Sequence, residues 1–117
     1  MKLSALRLAV LAVMLTAGLP ALAHPLQCDK AAGIDKLRCE RHEKMAAQCG
    51  PLKGEEHHAC DRSYLLANPL ACNALPEAQA ARCEAEKAAS KTCEAKAGRA
   101  FVVCVRDTTK ESPLGPH

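Results

Sequence analysis

Eight cysteines punctuate this chain at an almost constant step: Cys28, Cys39, Cys49, Cys60, Cys72, Cys83, Cys93 and Cys104. The intervals are 11, 10 and 11, then 12, then 11, 10 and 11 again, so the last four cysteines repeat the first four after 44 positions. An even, duplicated cysteine framework in a short chain specifies a disulfide scaffold.

The duplication extends beyond cysteine. With Cys28 laid on Cys72, six further positions match: Arg38/Arg82, Glu40/Glu84, Gly54/Gly98, Arg62/Arg106, Pro69/Pro113 and Leu70/Leu114. Two tandem copies of one supersecondary unit are therefore expected, over residues 24–71 and 72–117, the second ending in a short Pro/Gly tail. Each copy reads as a pair of helices. Residues 35–48 and 77–92 are rich in Ala, Glu, Lys, Gln and Arg and hold no Gly or Pro. Pro76 followed by Glu77 suits a helix start. Arg82 and Glu86, like Glu40 and Lys44, stand at i,i+4 for surface pairing. Gly50, Pro51 and Gly54 break the first unit and Gly98 breaks the second, so shorter helices are predicted near 55–66 and 99–110. Phe101-Val102-Val103 is the one β-prone run, and no window alternates in the β manner. The predicted fold is all-α: two tandem disulfide-stapled helical hairpins, four short helices in all.

Helix geometry selects the pairing. Cys39 and Cys49 share one uninterrupted helical stretch, as do Cys83 and Cys93, and ten residues of helix span about 15 Å. A disulfide needs Cα atoms within about 7 Å. The four 11-residue intervals differ, because a breaker lies near the middle of each: Gly33, Gly54, Pro76 and Gly98. Neighbour pairing follows: Cys28–Cys39, Cys49–Cys60, Cys72–Cys83 and Cys93–Cys104. The competing arrangement is nested, Cys28–Cys60 with Cys39–Cys49, as in twin C-x9-C hairpins. It requires a turn within residues 40–48, where no turn-forming residue occurs.

The N-terminus reads as an export signal. Lys2 and Arg7 form a basic start, residues 8–19 an apolar stretch, and Ala21-Leu22-Ala23 a cleavage site. Cleavage after Ala23 leaves His24 first and a chain of about 94 residues. The expected location is the periplasm or beyond, where disulfides form and persist. The core material is thin, with Tyr64 and Phe101 the only aromatics and no Trp. Cross-links are then expected to supply what burial does not. Without Lys2 and Arg7, 14 basic residues face 13 acidic ones. They are interspersed, which argues against nucleic acid as a partner.

Catalytic signals are missing. An even cysteine set leaves no spare thiol nucleophile, and there is no G-x-S-x-G, H-E-x-x-H, C-x-x-C or phosphate loop. A non-enzyme without cofactor is expected. Zinc knuckles are absent too. Thiolates kept reduced would suit copper(I), so a periplasmic copper binder is one alternative and a redox-stress protein with cycling cysteines another. His24, His57 and His58 are the weak metal candidates. Pro25, lacking an amide N–H, blocks a square-planar site of successive backbone nitrogens at His24. Glu55, Glu56, His57 and His58 read as a solvated helix start. Arg38-Cys39-Glu40 and Arg82-Cys83-Glu84 read as charges that solvate a helix whose cysteine faces inward. Arg62 and Arg106 suit helix C-terminal dipoles. Phe101-Val102-Val103-Cys104-Val105, where the first copy has His57-His58-Ala59-Cys60-Asp61, is expected to be core, or else an apolar patch for a partner.

Gln27-Cys28-Asp29-Lys30-Ala31, followed by Leu37-Arg38-Cys39, resembles the N-terminal cysteine motif of bacterial periplasmic lysozyme-inhibitor (LprI-like) proteins. More broadly, the chain is similar to small exported proteobacterial cysteine-repeat proteins. The resemblance implies a helical, disulfide-bonded periplasmic protein that binds another protein, and no catalytic residue. The expected function is thus a non-enzymatic binding or inhibitory module of the cell envelope. Its partner is a periplasmic or extracellular protein, with no nucleic acid and no stable membrane anchor.

The pairing is testable by peptide mapping without reduction. Cleavage after Arg41 and Lys44, and after Lys87 and Lys91, falls between the predicted loops. Residues 28–41 and 45–62 should then separate as independent, internally bridged species. Cys28 found joined to Cys60 would establish the nested arrangement instead.

Overall fold

Helices occupy the four stretches free of breakers. In the structure, a computed structural model that describes residues 27–116, α1 spans Gly33–Cys49, α2 Gly54–Ala67, α3 Glu77–Thr92 and α4 Gly98–Thr109. The expected export signal, its cleavage site and His24 lie outside the described residues. No strand occurs among the described residues, and no helix there is long and apolar enough to cross a membrane. Phe101-Val102-Val103 is helical: its register within α4, not its β propensity, decides its state. A short 3-10 turn precedes each hairpin, at Cys28–Lys30 and Cys72–Ala74. Nothing in the sequence reading anticipates these turns, though they occupy equivalent places in the two copies.

All eight cysteines are bridged, and all to the neighbour 11 residues away: Cys28–Cys39, Cys49–Cys60, Cys72–Cys83 and Cys93–Cys104. The Cα–Cα distances of 5.4–5.9 Å lie inside the normal range. In each copy the first bridge pins the 3-10 turn to the side of the long helix. The second joins the end of the long helix to its partner. Between those helices the chain turns at Gly54 and at Gly98, with φ of 59° and 48°, a conformation open to glycine and costly for residues with a Cβ.

The two hairpins pack long helix on long helix and short on short, α1 against α3 and α2 against α4. They share their buried surface. One cluster joins Met45 and Cys49 of α1, Leu65 of α2, Ala89 and Cys93 of the α3 end, and Phe101 and Val105 of α4. A second joins Ile34, Leu70, Cys72 and Cys83. Sulfur is a main constituent of both, as expected where large side chains are scarce.

Between the two clusters the interface is ionic. The inner stripe of α1 reads Ile34, Arg38, Arg41, Met45, Cys49, and that of α3 reads Cys83, Glu86, Ala89. Glu86 is only 3% exposed. Its two carboxylate oxygens accept from Arg38 Nε at 2.7 Å and Arg41 Nη2 at 2.6 Å. Arg41 Nη2 also donates to the Pro113 carbonyl at 2.6 Å, and Arg41 Nη1 to the Asn68 carbonyl at 3.4 Å. This overturns the expectation that Arg38 solvates the outside of its helix, since it is 2% exposed. The cause is register. Arg38 lies four residues beyond Ile34, so the stripe that buries the isoleucine carries the arginine inward with it. Glu86, three residues past the buried Cys83, turns inward likewise. The expected surface pair Arg82–Glu86 therefore does not form. The α1 start is also tied to the other repeat, where Gln79 Oε1 accepts from the Ile34 backbone N–H at 2.8 Å.

Removing one member of a buried charge cluster strands the others. Glu86→Ala should lower stability by about 3–5 kcal/mol. For a domain of this size each kcal/mol corresponds to about 4–8 °C in Tm. A melt by circular dichroism that moves by less than a few degrees would show that the two arginines are not held by Glu86.

Candidate functional site

The same duplication that aligns the copies shows where they differ, and the difference builds a groove. α4 buries Phe101 and Val105 completely. The equivalent positions of α2 are His57 and Asp61, which stay partly open. Between these two helices runs a groove of about 450 Å³. Its α4 wall carries Arg99, Val102, Val103 and Arg106, at i, i+3, i+4 and i+7 on one face. Its α2 wall carries His57, His58 and Asp61, and Ser112 and Leu114 form one edge.

Val102 and Val103 are half-buried, and Val102 also packs on the main cluster. The run 101–105 is thus divided. Phe101 and Val105 are core, as expected, while Val102 and Val103 face the groove. Arg99 and Arg106 are exposed at either end of the apolar floor, seven residues or about 10 Å apart along the helix.

The histidines are held in place. His57 Nδ1 lies 2.9 Å from the Cys49 carbonyl and Nε2 lies 3.2 Å from Asp61 Oδ2. Both partners are acceptors. The His58 ring meets that of His57 edge-on, with centroids 5.6 Å apart. Glu55 and Glu56 sit exposed in the first turn of α2, where negative charge meets the positive end of the helix dipole. His57 and His58 are not joined by further ligands. No group of three or more His, Cys, Asp or Glu that could hold a metal ion occurs among the described residues. The cysteines offer no thiolate, because all eight sulfurs are in bridges.

The two repeated arginines part company. Arg62 leaves its own helix and reaches the opposite hairpin. Its Nε donates to the Lys96 carbonyl at 2.7 Å and its Nη2 to the Glu94 carbonyl, just past the end of α3, while its guanidinium lies 5.9 Å from the Phe101 ring centroid. It serves a helix C-terminus, as expected for its charge, but that of the other repeat. Arg106 stands in the last turn of α4 beside Asp107. Arg41 and Arg99 carry no repeat signature and no expectation falls on them, while Glu86 is expected only as a surface partner of Arg82. Arg41/Ala85 and His42/Glu86 do differ between the copies, but so do most aligned positions, and the matched Arg38 faces the other copy too, so a mismatch does not mark the interface.

The edge of the groove is set by the C-terminal segment. Glu111 accepts from Arg82 Nε at 2.9 Å and from Arg82 Nη2, and lies 3.6 Å from Arg38 Nη2. Pro113 is bonded by Arg41, and Leu114 packs on the main cluster. Arg82 also approaches Asp35 at 3.9 Å, so three arginines and three carboxylates alternate where the repeats meet.

No family model, curated protein or solved structure matches this chain.

The hydrogen bond from Arg82 holds the Glu111 carboxyl below its ordinary value, with the Arg38 charge adding to the effect and partial burial opposing it. The folded state thus binds the proton less readily than the unfolded chain. The contribution of Glu111 is complete above the unfolded value, about 4.3, and disappears as pH falls through the lower folded value. Wild-type and Glu111→Gln chains, melted from pH 7 down to pH 3, should show a Tm gap that is largest near neutrality and closes in acid. A gap that is constant with pH would exclude this carboxylate as the fastening of the segment.

Proposed function

We propose that this chain is an exported, non-enzymatic protein of the cell envelope that binds, and in binding inhibits, another periplasmic or extracellular protein through the groove between α2 and α4. One observation carries the reading. In a chain with so few large apolar side chains, Val102 and Val103 are only half-buried and leave apolar surface along an open groove. Arg99 and Arg106 bracket them. The complementary surface is an extended segment that presents an apolar side chain with carboxylates beside it. Salt-dependent steering by the arginines would favour such a partner over a basic one.

Several features support export. Four disulfides suit an oxidising compartment. The basic, apolar and A-x-A segments up to Ala23 have the pattern of a cleaved signal. Every sulfur is already bonded, so neither a copper(I) thiolate store nor a thiol nucleophile has its reactive group. The likeness of residues 27–31 and 37–39 to LprI-like inhibitors points to a protein partner, and a braced helical scaffold with a groove is suited to one.

A photo-cross-linking amino acid in place of Val103 tests the reading in cells of the source. It should give a discrete protein adduct that weakens when Arg99→Glu and Arg106→Glu are added. The same probe at Ala81, exposed on α3, should give none. Identical adducts from both positions, or none from Val103, would overturn the groove as the binding surface.

A further inference from the structure

A second cleft lies between α2 and α3, and its chemistry is different. It encloses about 310 Å³, at the small end of the range for ligand sites, about 300–1,000 Å³. One wall is apolar: Leu65 and Leu66 from the end of α2, and Pro69 just beyond. The other wall is α3, with Lys87, Ser90 and Lys91 on one face. Arg41 of α1 and Glu86 lie among the lining groups, and Glu94 follows the α3 end.

The charges on the lining are three cations and two carboxylates. Glu86 is already neutralised by Arg38 and Arg41. Lys87 makes one loose contact, to Glu84 at 3.6 Å, between two exposed side chains. Such a pair is weak and readily exchanged. With Arg41 spent on Glu86, Lys87 and Lys91 against Glu94 leave a single net positive charge, which suits a monoanion better than a dianion such as phosphate.

Arg41, although part of the lining, is already committed elsewhere. Arg41 is 8% exposed, and its buried Nε has no hydrogen-bond partner, although Nη1 and Nη2 are both engaged.

We propose that this cleft binds a medium-chain monocarboxylate, its head group held by Lys87 and Lys91 and its hydrocarbon chain laid along Leu65, Leu66 and Pro69. The ligand class follows from the two walls. One cationic side fixes a carboxylate, the facing side excludes water from methylene groups, and the volume limits the chain to a short one. The site is separate from the α2–α4 groove and stands or falls independently of it.

Calorimetric titration of the oxidised full chain with octanoate tests the proposal, with hexanoate and 1-octanol as comparisons. Octanoate should saturate at one per chain. Each methylene buried contributes up to about fourfold in affinity, so hexanoate, two methylenes shorter, should bind about fourfold to sixteenfold more weakly, and 1-octanol at least tenfold more weakly. Lys87→Gln with Lys91→Gln, both exposed positions, should weaken octanoate at least fivefold while leaving the melting curve in place. Arg99→Gln with Arg106→Gln, in the other groove, should leave octanoate binding unchanged. Absence of saturable binding, indifference to the lysine substitutions, or equal loss from the arginine substitutions would overturn the proposal.

Discussion

Everything in this fold depends on where the chain is forced to double back. Eleven residues of uninterrupted helix would separate their ends by about 16 Å. Each bridge holds its two ends at 5.4–5.9 Å instead. Every bridged span must therefore contain a reversal, and the four reversals fix the order of turn, long helix and short helix twice over. Once the reversals are covalent, the segments between them need only be good helix formers. Alanine-rich stretches serve, because a cross-link of this loop size restricts the unfolded chain by an amount comparable to burying one or two large side chains.

The second determinant is non-covalent and unsymmetrical. α1 and α3 meet through a waist of charge, Arg38 and Arg41 around Glu86, flanked by an apolar cluster on either side. Such a cluster is poor at adding net stability and good at excluding alternatives. A register slip of α1 along α3 would set an arginine against Cys83 or Ala89 and leave Glu86 unpaired. The pairing thereby selects one way of docking two nearly identical hairpins. It also explains the tight approach of the C-terminal segment, whose Pro113 carbonyl and Glu111 carboxylate complete the coordination of the same arginines.

What could be read in advance follows from the range of each interaction. Helix limits and bridge partners are local. The breakers at Gly54, Pro76 and Gly98 and the run without Gly or Pro in residues 35–48 suffice to place both, and the structure agrees to within two residues at each helix end. The buried charges are not local. Nothing within α1 distinguishes an arginine facing water from one facing Glu86, 48 positions away, so the solvated reading of Arg38 failed. The groove was half legible. The contrast between Phe101-Val102-Val103-Cys104-Val105 and its counterpart in the first copy marks the region as special. Only the helix register shows which of those residues turn inward and which line an open wall. The 3-10 turns ahead of each hairpin had no signal, because three residues are too few to carry a period.

No bridge connects one repeat to the other: two lie before residue 61 and two after residue 71. The hairpins are joined by backbone at residues 68–71 and by contacts that a second copy of the chain could supply equally well. Opening at that junction would let two molecules trade hairpins and rebuild the same Arg38–Glu86–Arg41 waist between chains, with every disulfide intact throughout. The covalent framework that makes each half rigid thus leaves the pairing of halves reversible. Resistance to exchange falls to the buried charges and to the C-terminal segment clasped over them.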